Sequence, residues 1–371
     1  MQRMPARPGD AVATIETPAL VVDLDPFERN LELMANAVRG SGLALRPHAK
    51  SHKCPDIARQ QVAHGAIGIC CQKVDEAVAF VEAGIRDVLV SNEIVVPAKL
   101  ARLAKLARVA TIGVLADDLG VVAAISAAAT GEGVVLDVLV EIDVGAHRCG
   151  VLPGAAAVEL ARAIAASPGL RLRGLHAYQG AAQHLRTPAE RRAAIGTAAA
   201  LARDTRDAIV AAGLPCPTVT GAGTGTWQLE RDSRVYTELQ PGSYIFMDAD
   251  YRRNALAADD HAFEQSLYVT ATVMSVPVPE RAIVDAGLKA FAFDSGPPLV
   301  HAVQGLEYVG ASDEHGVLRV DPGAARPAVG EQVWLIPGHC DPTVNLYDWI
   351  VGVRSDRVEC VWPVAARGAI G

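Results

Sequence analysis

The chain has 371 residues, half of them hydrophobic and a fifth charged, with a formal net charge of −8 from 42 acidic and 34 basic residues. That length fits a barrel with an appended module, and the apolar content excludes a disordered chain. The acidic balance without any Lys/Arg block argues against nucleic acid or an anionic membrane as partners, and the apolar runs are too short or too broken by charge to span a bilayer.

The first ten residues lack the apolar stretch of a signal peptide, so a cytoplasmic location is expected. From residue 18 onward short apolar runs alternate with longer Ala/Leu/Arg-rich amphipathic stretches, the pattern of repeated βα units. Strands are predicted at 19–24, 43–49, 66–71, 87–92, 110–116, 137–144, 172–178 and 217–223, and eight such strands point to an α/β fold of the (β/α)8 TIM-barrel type over residues 18–256. The segments between them, such as DEAVAFVEAG and AAAVELARAIAAS, carry apolar residues at helical spacing and form the expected outer ring.

After about residue 256 strand-like runs follow one another between Gly, Pro and Asp turns, so residues 257–371 are predicted to form an all-β C-terminal domain. Residues 1–17 either pair with that domain or lie loose. The seven cysteines have neither a disulfide framework nor a CxxC zinc spacing, and reduced, buried thiols are expected.

In a barrel the working residues lie at the C-terminal ends of the strands. The second predicted strand runs into RPHAKSHKCP, where Arg46, His48, Lys50 and His52 alternate with Pro47 and Ala49. In extended backbone that alternation aims a polar face into the barrel mouth, although on a surface the same run is only a basic patch. A lysine held there among other cations would have a depressed pKa, as a Schiff-base amine requires.

Arg148, in EIDVGAHRCGV, reads either as a loop salt bridge or as a site residue. Tyr178, Gln179 and His184 read as a satisfied polar cluster or as acid/base groups. The Gly- and Thr-rich TGAGTGTW and the turn QPGSYIFMD follow the last predicted strand, where barrels commonly bind phosphate. A phosphate site and an imine-forming lysine together point to pyridoxal phosphate.

At RPHAKSHK the sequence resembles the family of D-threonine aldolases, 3-hydroxy-D-aspartate aldolases and D-serine dehydratases, fold-type III pyridoxal phosphate enzymes with an alanine racemase-like barrel. The similarity continues through TPALVVDL, GICCQKVDEA, VGAHRCGV, AYQGAAQH, GAGTGT, LQPGSYIFMDADY, VDAGLKA, DEHGVLRV and PGHCDPTVNLYDW, nearly the whole chain. The resemblance implies that Lys50 forms the imine with pyridoxal 5'-phosphate, that Gln72 lies beside the cofactor and Arg148 near its phenolic oxygen, and that Tyr178 packs at the substrate end. Gly223, Thr224, Gly242, Ser243 and Tyr244 would hold the phosphate.

The resemblance also implies a divalent metal on His339 and Asp341. Where the dehydratases have Cys, this chain has Asp341, which favours the aldolases and a harder ion, Mn2+ or Mg2+. If the strand preceding PGHCD stays extended, His339 and Asp341 project to one side and Cys340 to the other, leaving an open site with two protein ligands.

The activity implied is cleavage of a D-3-hydroxy-α-amino acid, with the metal stabilising the alkoxide and His184 taking the hydroxyl proton. The resemblance is nearest to the 3-hydroxy-D-aspartate aldolases, which give glycine and glyoxylate; D-threonine cleavage to glycine and acetaldehyde is the alternative. Dehydration of D-serine or 3-hydroxyaspartate, and a pyridoxal-binding regulatory barrel without catalysis, are the rivals. A second substrate carboxylate needs a cation, and Arg252, Arg253, His147 and Lys289 are available for it. A homodimer is expected from the relatives.

Overall fold

The computed structural model describes residues 3–371. Eight parallel strands form one sheet in the spatial order 44–45, 238–239, 218–221, 170–176, 136–141, 111–116, 87–93 and 69–71. The two ends of this order meet: Ile67 N–H donates to Leu45 O, Cys70 N–H donates to Pro47 O, and His48 bridges to Cys70. The sheet therefore closes on itself, with helices outside it.

One expected strand changes place, and one not expected takes its position in the barrel. Ala19–Asp23 belongs to the β domain, where it pairs antiparallel with Leu267–Val278 (Ala19 opposite Thr270) and parallel with Trp349–Arg354 (Leu20 opposite Ile350). The eighth barrel strand is instead Glu238–Leu239, which joins 44–45 to 218–221. The run ALVVD is buried almost throughout, so its composition alone does not say which sheet buries it.

The N-terminal residues also run along the β domain, with Gly9 N–H donating to Val358 O and Ala11 bridging to Arg357. That domain is a nine-stranded sheet with Ala19–Asp23 near its centre.

Helix boundaries follow from local chemistry. Asp118 caps the helix Leu119–Glu132 by accepting from Val121 N–H, and Gly133 ends it in the left-handed region at φ 66°. Thr187 and Glu190 form a capping box that starts the long helix Pro188–Ala211. No helix among the described residues is long and apolar enough to cross a membrane.

Period two in the strands sorts the barrel interior into layers. Arg46, Asp87, Asp137 and Glu238 form an ionic layer at the N-terminal end, with Arg46 3.1 Å from Glu238 and 2.6 Å from Asp87. Cys70, Leu89, Leu115 and Leu139 form an apolar layer above it. Ser91 and Glu141 come two residues beyond Leu89 and Leu139, and His48 and His176 lie against them just under the mouth. The alternate residues, such as Val88, Val90, Val138 and Val140, pack outward in the main core shared with the helices.

Two buried groups tie the architecture to the site. Phe27 of the helix Leu24–Val38 is fully buried, with its ring 6.5 Å from Phe246 after the barrel and 5.8 Å from Trp362 of the β domain. Glu230, in the short helix Trp227–Ser233, lies beneath the Gly/Thr loop 223–226 and accepts from Thr226 Oγ1 at 2.8 Å. Burial pushes its carboxyl up to about 7, only partly offset by that hydrogen bond.

Phe27→Ala is expected to cost about 3–5 kcal/mol, read as a lower urea midpoint; a loss under about 1 kcal/mol would mean that the ring does not hold the two parts together. Glu230 holds its proton in the folded chain between the ordinary value of 4.5 and about 7, so its effect is a fall in stability as pH rises through that window. Glu230→Gln is expected to flatten that slope and raise the unfolding temperature near about pH 8; an unchanged slope would place the titration elsewhere.

Candidate active site

A cavity lies at the C-terminal end of the barrel, and residues of the β domain complete its wall. Lys50 sits in a short 3-10 turn, Ala49–Ser51, that follows the first barrel strand. Its Nζ lies 3.6 Å from Asp341 Oδ2, on the helix Cys340–Val344 of the β domain. The two parts of the chain thus meet at an amine and a carboxylate.

That contact reverses one expectation about Lys50. Burial lowers its pKa, but the Asp341 charge, with a smaller contribution from Tyr178, outweighs burial and raises it. Asp341 responds in kind: burial pushes its carboxyl up, and the Lys50 and His339 charges bring it down to about 2. Without its carboxylate partner the amine would have had the depressed pKa expected from its cationic neighbours.

His339 is the N-cap of the same helix, not the end of a strand. The strand Gln332–Ile336 stops before it, so the extended geometry expected through 339–341 is replaced by the first turn of a helix. The outcome for the side chains is nonetheless a separation, with His339 and Asp341 facing the cavity and the Cys340 thiol buried. His339 Nδ1 lies 2.6 Å from Asp294, which fixes its hydrogen there and leaves Nε2 as the free ligand atom. Burial disfavours the imidazolium, but Asp341 and Asp294 outweigh it and raise the pKa.

Of the other residues singled out in the sequence, Gln72, Arg148, Tyr178, His184, Gly223, Thr224, Gly242 and Ser243 all face this cavity. Tyr244 does not. Its side chain is buried in the core, where its hydroxyl accepts from Gln61 Nε2 at 3.2 Å and its ring lies 5.5 Å from Phe263. The 3-10 turn Ser243–Ile245 sends consecutive side chains in different directions, which is why Ser243 faces the cavity and its neighbour does not.

The cradle fits a phosphate. Thr224 Oγ1 is buried without a hydrogen-bond partner, and a buried hydroxyl is rarely left so. Gly223 and Gly242 allow the close approach, since a Cβ at either would meet Gln183 or Ser51 at 2.5 Å. Arg148 lies over the Tyr178 ring, 5.7 Å from its centre.

His184 is half exposed at the rim, with Nδ1 2.7 Å from Asp250. Burial raises the Asp250 pKa, but Arg186 and His184 bring it down, so it is an ionised acceptor for Nδ1–H and leaves His184 Nε2 directed away from it.

Several residues that sequence reasoning did not single out as site residues also face the cavity, among them Ser91, His176, Gln240, Asp248 and Tyr251. His176 and Gln240 belong to a hydrogen-bonded chain that runs down the barrel. Thr220 Oγ1 donates to Glu238 at 2.8 Å, so its oxygen accepts from Gln240 Nε2 at 2.7 Å. Gln240 Oε1 must then accept from His176 Nε2–H at 3.1 Å. The other His176 nitrogen pairs with Glu141, which outweighs burial and raises the His176 pKa. For Ser91 and His176 the position in the strand was the available signal; Gln240, Asp248 and Tyr251 lie outside the strands and carried none.

The family model for the alanine racemase N-terminal domain matches residues 22–250, and that for a putative serine dehydratase domain matches residues 266–353. The D-threonine aldolase of Arthrobacter sp. is 50% identical over 364 residues, covering 98% of this chain and 96% of that protein. The 3-hydroxy-D-aspartate aldolase of Paracoccus denitrificans (strain Pd 1222) is 46% identical over 371 residues, covering 98% of this chain and 95% of that protein. The crystal structure of D-threonine aldolase from Filomicrobium marinum superposes with a TM-score of 0.97 at 48% identity, covering 100% of both chains. The chain therefore belongs to the alanine racemase N-terminal domain family, and within it to the group of D-threonine and 3-hydroxy-D-aspartate aldolases that its motifs resemble.

Proposed function

We propose that this protein is a pyridoxal phosphate- and divalent-metal-dependent carbon–carbon lyase that cleaves a D-3-hydroxy-α-amino acid, with 3-hydroxy-D-aspartate giving glycine and glyoxylate. The observation that carries this reading is the 3.6 Å approach of the Lys50 amine to Asp341 in one cavity with His339 and the Thr224 cradle. Mn2+ or Mg2+ as the metal, a homodimer and a cytoplasmic location belong to the same reading.

Thr224 and Ser243, with the backbone at Gly223 and Gly242, would hold the cofactor phosphate, and Lys50 would hold its aldehyde carbon. Gln72 and Arg148 would flank it. Bound there, the cofactor supplies an electron sink for the bond that breaks. His339 Nε2 and an Asp341 oxygen would hold the metal, an imidazole and carboxylate pair suited to Mn2+ or Mg2+, with positions left for substrate and water.

His184 Nε2, oriented by Asp250, takes the proton of the substrate hydroxyl. The Cβ–O bond then becomes the carbonyl of the leaving aldehyde as Cα–Cβ breaks. Lys50 Nζ, held beside Asp341, would then return a proton to Cα, and glycine results. Burial keeps the Tyr178 hydroxyl protonated beside it, and Tyr178 excludes water at the substrate end.

One observation favours D-threonine as a second reading. None of Arg252, Arg253, His147 and Lys289 faces the cavity. Arg253 lies 3.5 Å from Asp250 and donates to Ser295 O, Lys289 pairs with Glu314, and His147 pairs with Asp143. A distal substrate carboxylate thus has no evident partner among them, whereas a methyl group needs none.

Incubation with 3-hydroxy-D-aspartate and with D-threonine, each with Mn2+, is expected to release glycine and an aldehyde. Ammonia with an oxo acid would instead mean elimination, and no turnover of either would overturn the reading. Chelation, and Asp341→Ala, are each expected to lower kcat about a hundredfold or more while the visible band of bound pyridoxal persists. Full activity without metal would remove the role given to His339 and Asp341.

A further inference from the structure

The turn that presents Lys50 continues into a second lysine that the mechanism does not use. Lys53 is 7% exposed and holds φ 51°, a left-handed conformation that a lysine keeps only where its surroundings fix it. Its carbonyl accepts from Ala366 N–H at 3.0 Å. Its ammonium lies 3.1 Å from Glu76 Oε1 and donates to Asn345 Oδ1 at 2.9 Å.

These partners lead to opposite sides of the site. Glu76 is buried in the helix Val74–Glu82, and its Oε2 accepts from Gln72 N–H at 2.7 Å and Lys73 N–H at 3.1 Å. It therefore fixes the backbone at Gln72, whose amide reaches His48 in the cavity wall. Asn345 is the C-cap of the helix Cys340–Val344, the element that carries Asp341 and is N-capped by His339. Asn345 Oδ1 also accepts from Gly368 N–H at 3.0 Å. One ammonium thus joins the segment of Lys50, the segment of Gln72 and the far end of the metal-ligand helix.

We propose that Lys53 is a positioning residue: held by Glu76, it latches Asn345 so that His339 and Asp341 stay in register with Lys50. The proposal rests on the reading that those two residues bind the metal. A helix of five residues has little stability of its own, so contacts at its two ends decide where it lies. At its start Cys340 N–H donates to Asp248 Oδ2 at 2.9 Å, and at its end Asn345 Oδ1 accepts from Lys53 Nζ and from Gly368 N–H, of which only Lys53 belongs to the segment of Lys50. With only two protein ligands, a small shift of the helix changes the metal geometry directly, as outer contacts of metal ligands do in general. On the phosphate side Ser243 Oγ donates to Asp341 Oδ1 at 3.3 Å, while Thr224 shares no hydrogen bond with Lys53, Glu76 or Asn345 among the described residues, so pyridoxal binding is expected to persist without the latch.

The plain alternative is that Lys53 only neutralises Glu76. Asn345→Ala separates the two, since it removes the latch and leaves the ion pair. The experiment is a Mn2+ titration of the pyridoxal-loaded protein, read by the loss of the free-ion EPR signal, with pyridoxal affinity and thermal unfolding measured alongside.

Lys53→Met and Asn345→Ala are expected to weaken Mn2+ binding about 10- to 100-fold with pyridoxal affinity unchanged, and Lys53→Arg to restore part of the loss. Wild-type Mn2+ affinity in Asn345→Ala would overturn the latch, and so would an equal loss of both ligands. If Lys53→Met does not fold, Asn345→Ala alone decides. Asp341→Ala serves as the control: if it binds Mn2+ as tightly as the wild type, the metal assignment fails, and the latch with it.

Discussion

Lys50 and Asp341 come from different parts of the chain, and their charges are 3.6 Å apart inside one cavity. The carboxylate holds the amine protonated, and the amine helps hold the carboxylate ionised at a pKa of about 2. Neither group has this character alone. The pair is only partly buried, and for each group the charges around it outweigh the cost of burial. It joins the helix Cys340–Val344 to the barrel mouth, alongside the contacts at the two ends of that helix.

The barrel below the pair is organised to the same end. An ionic layer around Arg46 and an apolar layer around Leu89, Leu115 and Leu139 separate the site from the N-terminal end of the barrel. The hydrogen bonds from Glu238 through Thr220 and Gln240 to His176 cross those layers with only one direction open to each amide and hydroxyl. The floor of the cavity thus has a fixed donor and acceptor pattern before any ligand enters, the preorganisation on which electrostatic catalysis depends. His339 and His184 follow the same principle, each with one nitrogen tied to an aspartate and the other free.

Much of this was legible in the sequence, and the failures have physical causes. The strands 87–93 and 136–141 were legible as apolar runs, although burial on both faces leaves little alternation to tell inward from outward residues. ALVVD was misplaced because a doubly buried strand reads the same in a barrel and in a β domain, and Glu238–Leu239 escaped because two residues show no period. Motif order placed Lys50, Gln72, Arg148, His339 and Asp341 around one cavity. It could not give the sign of the Lys50 shift, which comes from a carboxylate in the other domain, nor show that Tyr244 turns into the core while Ser243 does not. Of the cations considered for a distal carboxylate, only the pairing of Lys289 with Glu314 is distant in sequence; Arg253 with Asp250 and His147 with Asp143 are three and four residues apart, within reach of sequence spacing.

The central claim is that one site is assembled across the two domains at Lys50, His339 and Asp341. A crystal structure of the protein with Mn2+ and pyridoxal phosphate, with anomalous scattering recorded at the manganese edge, tests it most directly. The account predicts a single strong anomalous peak between His339 and Asp341, in the same cavity as a pyridoxal ring joined to Lys50. A manganese peak on other side chains, or pyridoxal joined to another lysine, would contradict it.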